Sequence, residues 1–140
     1  MIASLQCVVL DCPDVAELAT FYQSLLGGVV NQADQRWSVS EGFATLHAPG
    51  GLVLAFQRVE DFREPRWRDP AHPQQFHLDL DVPDLDDAQS RVTALGATLL
   101  HVDSRGWRVF ADPAGHPFCL IPSPAITGID SLNPPAQTRQ

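Results

Sequence analysis

Apolar and polar residues alternate without a break over residues 76–82. A period of two is typical of a half-buried strand, in which successive side chains point to opposite faces. One face of this strand is aliphatic, and the other carries His77, Asp79 and Asp81. Three ionisable groups on one face indicate either a chemical site or a solvated edge strand whose charges deter aggregation.

The strand has a counterpart near the N-terminus. Residues 5–14 align with residues 75–84 at a constant shift of 70 positions, which is the distance from Cys7 to His77. In both copies an apolar strand runs into a Pro-Asp pair and then into a helical pattern. The chain is therefore predicted to contain a duplicated unit.

Each copy also predicts one helix. Residues 13–26 place apolar side chains on one helical face, with Asp14 as the N-cap, and the second helix runs from Asp84 to Gly96. Phe21 lies off the apolar stripe of the first helix. We expect it to reach a neighbouring element or the partner in a dimer.

Further strands follow each helix. Residues 29–40 predict two short strands, at 29–30 and 37–39, and residues 43–57 predict a hairpin around a Pro-Gly-Gly turn. Residues 98–102 predict another strand. Residues 107–121 match the hairpin of the first copy at a shift of 64, so the second copy has a short deletion between its helix and its hairpin.

These elements predict one domain over residues 1–122, with unit one at about 3–58 and unit two at about 75–122. The linker, residues 59–74, is rich in charge and proline and carries two aromatic side chains, Phe62 and Trp67. Large aromatics in an irregular segment either pin it to the domain or form the wall of a pocket. The tail, residues 123–140, has few apolar anchors and is predicted to be mostly disordered.

The composition excludes some classes of binding partner. The 140-residue chain has a formal charge of −8, with 17 acidic against 9 basic residues, which argues against nucleic acid or an anionic membrane as partner. No apolar run is long enough to span a bilayer and no secretory leader is recognisable, so we expect a cytoplasmic protein. Its three cysteines are then thiols, each a small core residue or a ligand.

The repeated order of one strand, one helix and three strands resembles the vicinal oxygen chelate superfamily, the glyoxalase and bleomycin-resistance group. The segments that carry the resemblance are residues 9–14, 19–27, 77–80 and 112–119. The glyoxalase-like branch common in actinobacteria is most similar. The resemblance implies an α+β fold of two βαβββ units, a half-open mixed β-sheet barrel with its helices on the outer face, and a homodimer.

The resemblance also implies four metal-ligand positions, on the first and last strand of each unit. In this chain they hold Cys7, Ala55, His77 and Cys119. Ala55 cannot ligate, and the usual carboxylates are missing. Two interpretations follow: a zinc site of Cys7, His77 and Cys119 with an open fourth position, or a metal-free cleft that binds a drug, as in bleomycin-resistance proteins. In the second case the cysteines only pack.

Strand parity within this fold indicates which side chains line the cleft. They are mostly apolar and aromatic, with acids at the floor, and suit a flat, hydrophobic or cationic ligand stacked on an indole ring. The predicted ligand-binding residues are Val9, Phe43, Thr45, Val53, Trp67, Trp107 and Val109.

His77 and Asp79 are two positions apart on one strand face, and a carboxylate beside a histidine can tune it as a general acid or base. The alternative is a histidine in a solvent-filled pocket, without a catalytic role. Asp112 is expected to order the Asp-Pro-Ala-Gly turn, and His116, like the other loop histidines, is expected at the surface.

The sequence is consistent with two functions. The first is a small-molecule-binding protein that binds or sequesters a hydrophobic or cationic metabolite or antibiotic. The second is a glyoxalase-like lyase or isomerase for a small carbonyl compound, with zinc at the Cys7, His77 and Cys119 positions or with metal-free chemistry by His77 and Asp79. A structural half of a larger assembly is favoured only if side chains fill the cleft.

Overall fold

A computed structural model describes residues 1–123 of the chain, in eight strands and two α-helices. In chain order the elements are β1 Val8–Cys12, α1 Val15–Leu26, β2 Val29–Val30, β3 Phe43–His47, a 3₁₀ turn at Pro49–Gly51, β4 Val53–Arg58, β5 Leu78–Val82, α2 Leu85–Ala94, β6 Thr98–Val102, β7 Arg108–Ala111 and β8 Pro117–Pro122.

The strands form two four-stranded mixed sheets, in the orders β1-β4-β3-β2 and β5-β8-β7-β6. In each sheet the first strand pairs in parallel with the last strand of its own unit. Val9 pairs with Ala55, and Asp79 pairs with Cys119, so the two registers are related by the predicted shifts of 70 and 64. The predicted α+β class and the two βαβββ units are confirmed, and neither sheet closes on itself.

One predicted strand is wrong. Residues 37–39 lie in the loop between β2 and β3, where Ser40 makes only an isolated bridge to Phe43. The physical reason is that the backbone of this segment is engaged in local turns: the Trp37 amide donates to the Asp34 carbonyl, and Ser40 exchanges backbone hydrogen bonds with Phe43.

The helices begin as their sequences predict. The Asp14 carboxylate accepts a hydrogen bond from the Glu17 amide at 2.9 Å, and Asp84 accepts from the Asp87 amide at 2.8 Å. The two helices differ in burial: five side chains of α1 are buried, whereas Val92 is the only buried side chain of α2. The core is therefore centred on α1.

Phe21 belongs to this core. It is 3% exposed, and its ring centroid lies 5.9 Å from that of Phe118 on β8 of the other unit. The alternative in which Phe21 reaches a neighbouring element is confirmed, and a surface position is wrong. Side chains of both units contribute to one hydrophobic cluster, so the units share a core.

A buried polar network joins the units beside this core. The Tyr22 hydroxyl donates to Asp112 Oδ2 at 2.8 Å, and His116 Nδ1 lies 2.8 Å from the same oxygen. His116 Nε2 lies 2.9 Å from the backbone carbonyl oxygen of Asp11, at the end of β1. His116 is only 7% exposed, so its predicted surface position is wrong, because the β7–β8 turn packs against unit one.

Asp112 orders that turn as expected, by accepting hydrogen bonds from the backbone amides of Ala114 and His116 at 2.9 Å. None of the described helices has the length and apolar character needed to cross a membrane. The tail from residue 124 onward, for which disorder is predicted, lies outside the described residues.

Candidate functional site on the cleft face of unit two

Each sheet packs one face against the hydrophobic core. We call the opposite side the cleft face. Residues that pair across neighbouring strands share a face, and Asp79 on β5 pairs with Cys119 on β8, which pairs with Val109 on β7. His77 precedes Asp79 by two positions and so belongs to the same face.

Three side chains of this face come together as a possible metal-binding group. One ligand atom each from His77, Asp79 and Cys119 lies within 4.8 Å of the other two. His77 Nε2 is 3.5 Å from Asp79 Oδ1, and the two side chains are 46% and 56% exposed. Cys119 is buried beneath them, so the group has a solvent-facing side and a protein side.

The Cys119 thiol is protonated at neutral pH. Burial, followed by the hydrogen bond to Asp79 and its negative charge, raises the pKa of the thiol to about 11. The S–H group therefore acts as the donor to the Asp79 carboxylate. To act as a metal ligand the thiol must lose this proton, because the thiolate is the coordinating form.

Of the three corresponding positions in unit one, Cys7 alone has a side chain that could bind a metal. Val9 pairs with Ala55, and Ala55 pairs with Thr45, in the same row of the cleft face. Both units therefore keep the same register, while the three ligand atoms that converge all belong to unit two.

Cys7, the third predicted metal ligand, does not belong to the group within the described chain. It lies directly before β1 and is partly buried, with a free thiol. The third member of the group is Asp79, for which the sequence predicts a catalytic role beside His77. The parallel β5–β8 register, which sets Asp79 beside Cys119, is the signal that would have identified it.

The predicted ligand-binding residues differ in accessibility. Thr45, Val53 and Val109 are buried, with exposed fractions of 0%, 9% and 1%. Phe43, Trp67 and Trp107 are half-buried. Side chains thus cover the inner rows of the cleft face, and a ligand can reach mainly the edge strands.

We call this accessible part the edge strip. It consists of the exposed cleft-face residues of β1 and β5 together with His77, which precedes β5. Val9 is 43% exposed, and the other members are charged or ionisable. The members of the edge strip are Val9, Asp11, His77, Asp79 and Asp81. An acidic strip of this kind favours cations.

One face of Trp107 is already covered. The Arg105 guanidinium lies 4.1 Å from the centroid of its ring, and Arg105 also contacts Asp103 at 3.0 Å. A ligand stacked on Trp107 therefore has only the opposite face available.

Unit one contains a similar cluster. Arg36 lies 4.4 Å from the centroid of the Trp37 ring and forms an ion pair with Asp34 at 2.6 Å. The Asp-x-Arg pattern in both units, at a shift of 69 positions, is a sequence signal that the repeat comparison overlooked.

Three buried side-chain atoms have no hydrogen-bond partner among residues 1–123. They are Thr45 Oγ1, His47 Nε2 and Trp67 Nε1. Thr45 and His47 are two positions apart on β3, so both side chains lie on the cleft face. Two of the three atoms therefore belong to the face on which the cleft is predicted.

Comparison with known proteins identifies the fold. A family model described as a glyoxalase-like domain matches residues 7–121. A search of curated proteins gives no significant match.

Solved structures with the same fold are only distantly related in sequence. The fosfomycin resistance protein FosX from Mesorhizobium loti is 18% identical with a TM-score of 0.62, and the match covers 86% of this chain and 91% of that one. A glyoxalase/bleomycin resistance protein/dioxygenase family enzyme from Burkholderia phytofirmans PsJN is 22% identical with a TM-score of 0.63, covering 86% and 98%. A possible glyoxalase from Bacillus cereus is 14% identical with a TM-score of 0.61, covering 84% and 97%.

The family match spans most of the chain, and the two βαβββ units, their parallel first-to-last strand pairing and the solved structures agree with it. The chain belongs to the glyoxalase-like domain family, within the vicinal oxygen chelate superfamily.

Proposed function

We propose that this protein binds a small molecule at the edge strip, and that a zinc ion held by His77, Asp79 and Cys119 forms part of the site. The single observation that carries the proposal is the convergence of three ligand atoms within 4.8 Å on the accessible side of unit two. A cationic or hydrophobic compound bound without metal, by the acids of the strip and the free face of Trp107, is the alternative.

The donor chemistry supports zinc. One imidazole nitrogen, one carboxylate oxygen and one thiolate sulfur form a set that zinc accepts in tetrahedral sites. Manganese and magnesium prefer sets made of oxygen donors. The solvent-exposed side of the group leaves room for a fourth ligand, so a bound zinc ion would supply a Lewis acid for a carbonyl or hydroxyl oxygen.

A structural relative supports the pairing of metal and small ligand. A variant of FosX from Listeria monocytogenes was solved with Mn(II) and 1S,2S-dihydroxypropylphosphonic acid. It is 16% identical to this chain with a TM-score of 0.60, so the likeness concerns the fold alone.

The proposal is tested by elemental analysis of protein purified without chelators. We expect near-stoichiometric zinc in the parent, loss of zinc in His77→Ala and Cys119→Ser, and reduced zinc in Asp79→Asn. Cys7→Ser is the matched control for loss of a thiol and should keep its metal. A parent protein that takes up no zinc, nickel, iron or manganese on incubation would overturn the metal site and leave the metal-free binder.

The same variants test the homodimer that we propose as the assembly. Both β1 and β5 are edge strands of their sheets, so their backbone groups are free to pair with another copy. Light scattering should give the mass of two chains. If Cys7→Ser loses zinc as completely as Cys119→Ser, the Cys7 thiol of a second copy completes the site.

An enzyme is the second candidate, and the 3.5 Å distance between His77 Nε2 and Asp79 Oδ1 favours it. In a metal-free reaction Asp79 would orient His77 through Nε2, and the opposite ring nitrogen, Nδ1, would hold and move a proton at a carbon next to a carbonyl group. The reaction class is that of a lyase or isomerase for a small carbonyl compound. Turnover of a panel of 2-oxoaldehydes in the presence of a chelator, abolished in both His77→Ala and Asp79→Asn, would support it. Absence of turnover with and without zinc would exclude it for that panel.

The remaining expectations stay predictions. We propose a cytoplasmic location and no nucleic-acid or membrane partner, on the grounds of three free thiols and a formal charge of −8.

A further inference from the structure

His116 lies at the meeting point of three segments of the chain. It belongs to the turn that leads into β8, and its Nε2 contacts the Asp11 carbonyl at the end of β1. Its ring centroid is 5.8 Å from that of Phe62 and 6.1 Å from that of Phe76, the residue directly before His77. One imidazole ring therefore touches segments that lead to both His77 and Cys119.

Both nitrogens of this ring face acceptors. Nε2 is 2.9 Å from a backbone carbonyl oxygen, which has no proton to give, so Nε2 must carry a proton. Nδ1 is 2.8 Å from Asp112 Oδ2. The proton of this second contact comes from either the imidazole or the carboxylic acid.

The surroundings of Asp112 decide where that proton resides. Its Oδ1 accepts two backbone N–H groups, of Ala114 and His116, and its Oδ2 accepts the Tyr22 hydroxyl. Three donors stabilise the ionised carboxylate. The proton therefore belongs to the imidazole, and the pair is a buried imidazolium and carboxylate.

The other titratable groups near the pair do not supply a competing charge. Burial, with a contribution from Asp112, raises the pKa of Tyr22 well above its usual value, and burial raises the pKa of the Cys12 thiol to about 11, so both are neutral. The Glu64 side chain lies against Gly115 on the linker side of the turn.

We propose that His116 is a doubly protonated positioning residue, which holds the segments before β5 and β8 so that His77 and Cys119 stay within ligand distance of each other. The proposal rests on the function proposed above for these two residues. A neutral His116 has one N–H group, so it would turn a bare nitrogen toward either the Asp112 carboxylate or the Asp11 carbonyl of β1 and lose one of the two contacts that fix the turn.

Nitrogen NMR of the imidazole rings tests the protonation state. We expect one histidine to show two protonated ring nitrogens at a pH at which exposed histidines are neutral, and we expect this signal to vanish in His116→Gln. The matched control is His72→Gln, because His72 also pairs with an aspartate, Asp69 at 3.1 Å, but lies 35% exposed and away from the junction. A His116 spectrum with one protonated and one bare nitrogen would overturn the proposal.

Zinc affinity tests the positioning role. Groups that orient metal ligands typically change affinity 10- to 100-fold when they are replaced. We expect His116→Gln to weaken zinc binding about 10-fold or more under conditions in which it is folded, and His72→Gln to bind as the parent does. Equal affinity in the parent and His116→Gln would overturn the positioning role.

A parent protein without zinc would refute the proposed function and not this proposal. In that case amide hydrogen exchange at residues 77–79 and 118–119 provides the measurement. Faster exchange at both segments in His116→Gln, and not in His72→Gln, would support positioning, whereas unchanged exchange would overturn it.

Discussion

The hydroxyl group of Tyr22 donates a hydrogen bond to Asp112 at a place that water does not reach. Tyr22 is 1% exposed and Asp112 is 4% exposed. Burial, and then the charge of Asp112, raises the pKa of Tyr22 well above 10.0. The folded protein therefore keeps this proton at a pH at which the unfolded chain would release it.

This difference predicts a loss of stability in alkali. Because the folded pKa lies above the unfolded value, the stabilisation is complete below pH 10 and is lost as the pH rises from there toward the folded pKa. Tyr22→Phe should lower the free energy of unfolding by about 1 kcal/mol at neutral pH, through the lost hydrogen bond. It should also make the decline above pH 10 less steep.

Tyr22 is the single tyrosine of the chain, so tyrosinate absorbance reports on it directly. We expect the absorbance of the ionised ring to appear together with the loss of the folded circular dichroism spectrum. Ionisation near pH 10 in protein that remains folded would contradict the prediction.

At the scale of elements, the two helices have the same type of N-cap and different neighbours. Asp14 and Asp84 each accept the amide hydrogen of the residue three positions later. The apolar side of α1 is covered by both units, while α2 buries only Val92 fully and packs Leu85 and Ala88 partly buried against the core. Loss of either N-cap should therefore remove the same local hydrogen bond but lower the global free energy of unfolding by different amounts.

Replacement of each cap by alanine tests this difference. A lost N-cap costs about 1 kcal/mol on average. We expect Asp14→Ala to lower the global free energy of unfolding by about that amount, because α1 unfolds only with the core. Asp84→Ala should mainly speed amide exchange within residues 85–94, with a smaller global loss in urea. Equal global losses would show that α2 is as tightly coupled to the core as α1.

At the scale of the whole molecule, the two units are one cooperative structure. Phe21 of α1 packs on Phe118 of β8, and the network from Tyr22 to His116 crosses the same junction. Neither unit retains a complete core without the other, because the largest buried side chains come from both.

Phe21→Ala should therefore destabilise both units together. Truncation of a buried phenylalanine costs about 3–5 kcal/mol, a large part of the about 5–15 kcal/mol that a domain has. Leu99→Ala, at a position that is 41% exposed, is the control and should cost less than about 0.5 kcal/mol. Urea unfolding followed by hydrogen exchange in β1 and in β5 should show one common transition. Protection that persists in β5 after β1 has unfolded would refute shared cooperativity.

Much of the fold was predictable from the sequence because its signals are local. The alternation around Asp79 and the matching N-terminal strand predicted β5, β1 and the duplication, and the Gly and Pro signals predicted the hairpin turns. The strand predicted at residues 37–39 is wrong because turns at Asp34–Trp37 and Ser40–Phe43 engage the backbone there, and the apolar pattern does not report these turns. The site was predictable in part: His77 and Cys119 were expected, whereas the part played by Asp79 depended on the β5–β8 register.

The sequence by itself determined the duplicated βαβββ order and the caps and faces of the helices. It also determined that the strand containing His77 and Asp79 has one apolar and one ionisable face. These features follow from periods of two and of 3.6 residues, which neighbouring residues already express. Only the tertiary structure decided that Phe21 and His116 are buried, that Arg105 covers Trp107, and that Asp79 meets Cys119. The burial of Phe21 and His116 depends on the packing of one unit on the other. Asp79 meets Cys119 through the pairing of β5 with β8 within unit two, and the Arg105 contact with Trp107 depends on the conformation of the loop before β7.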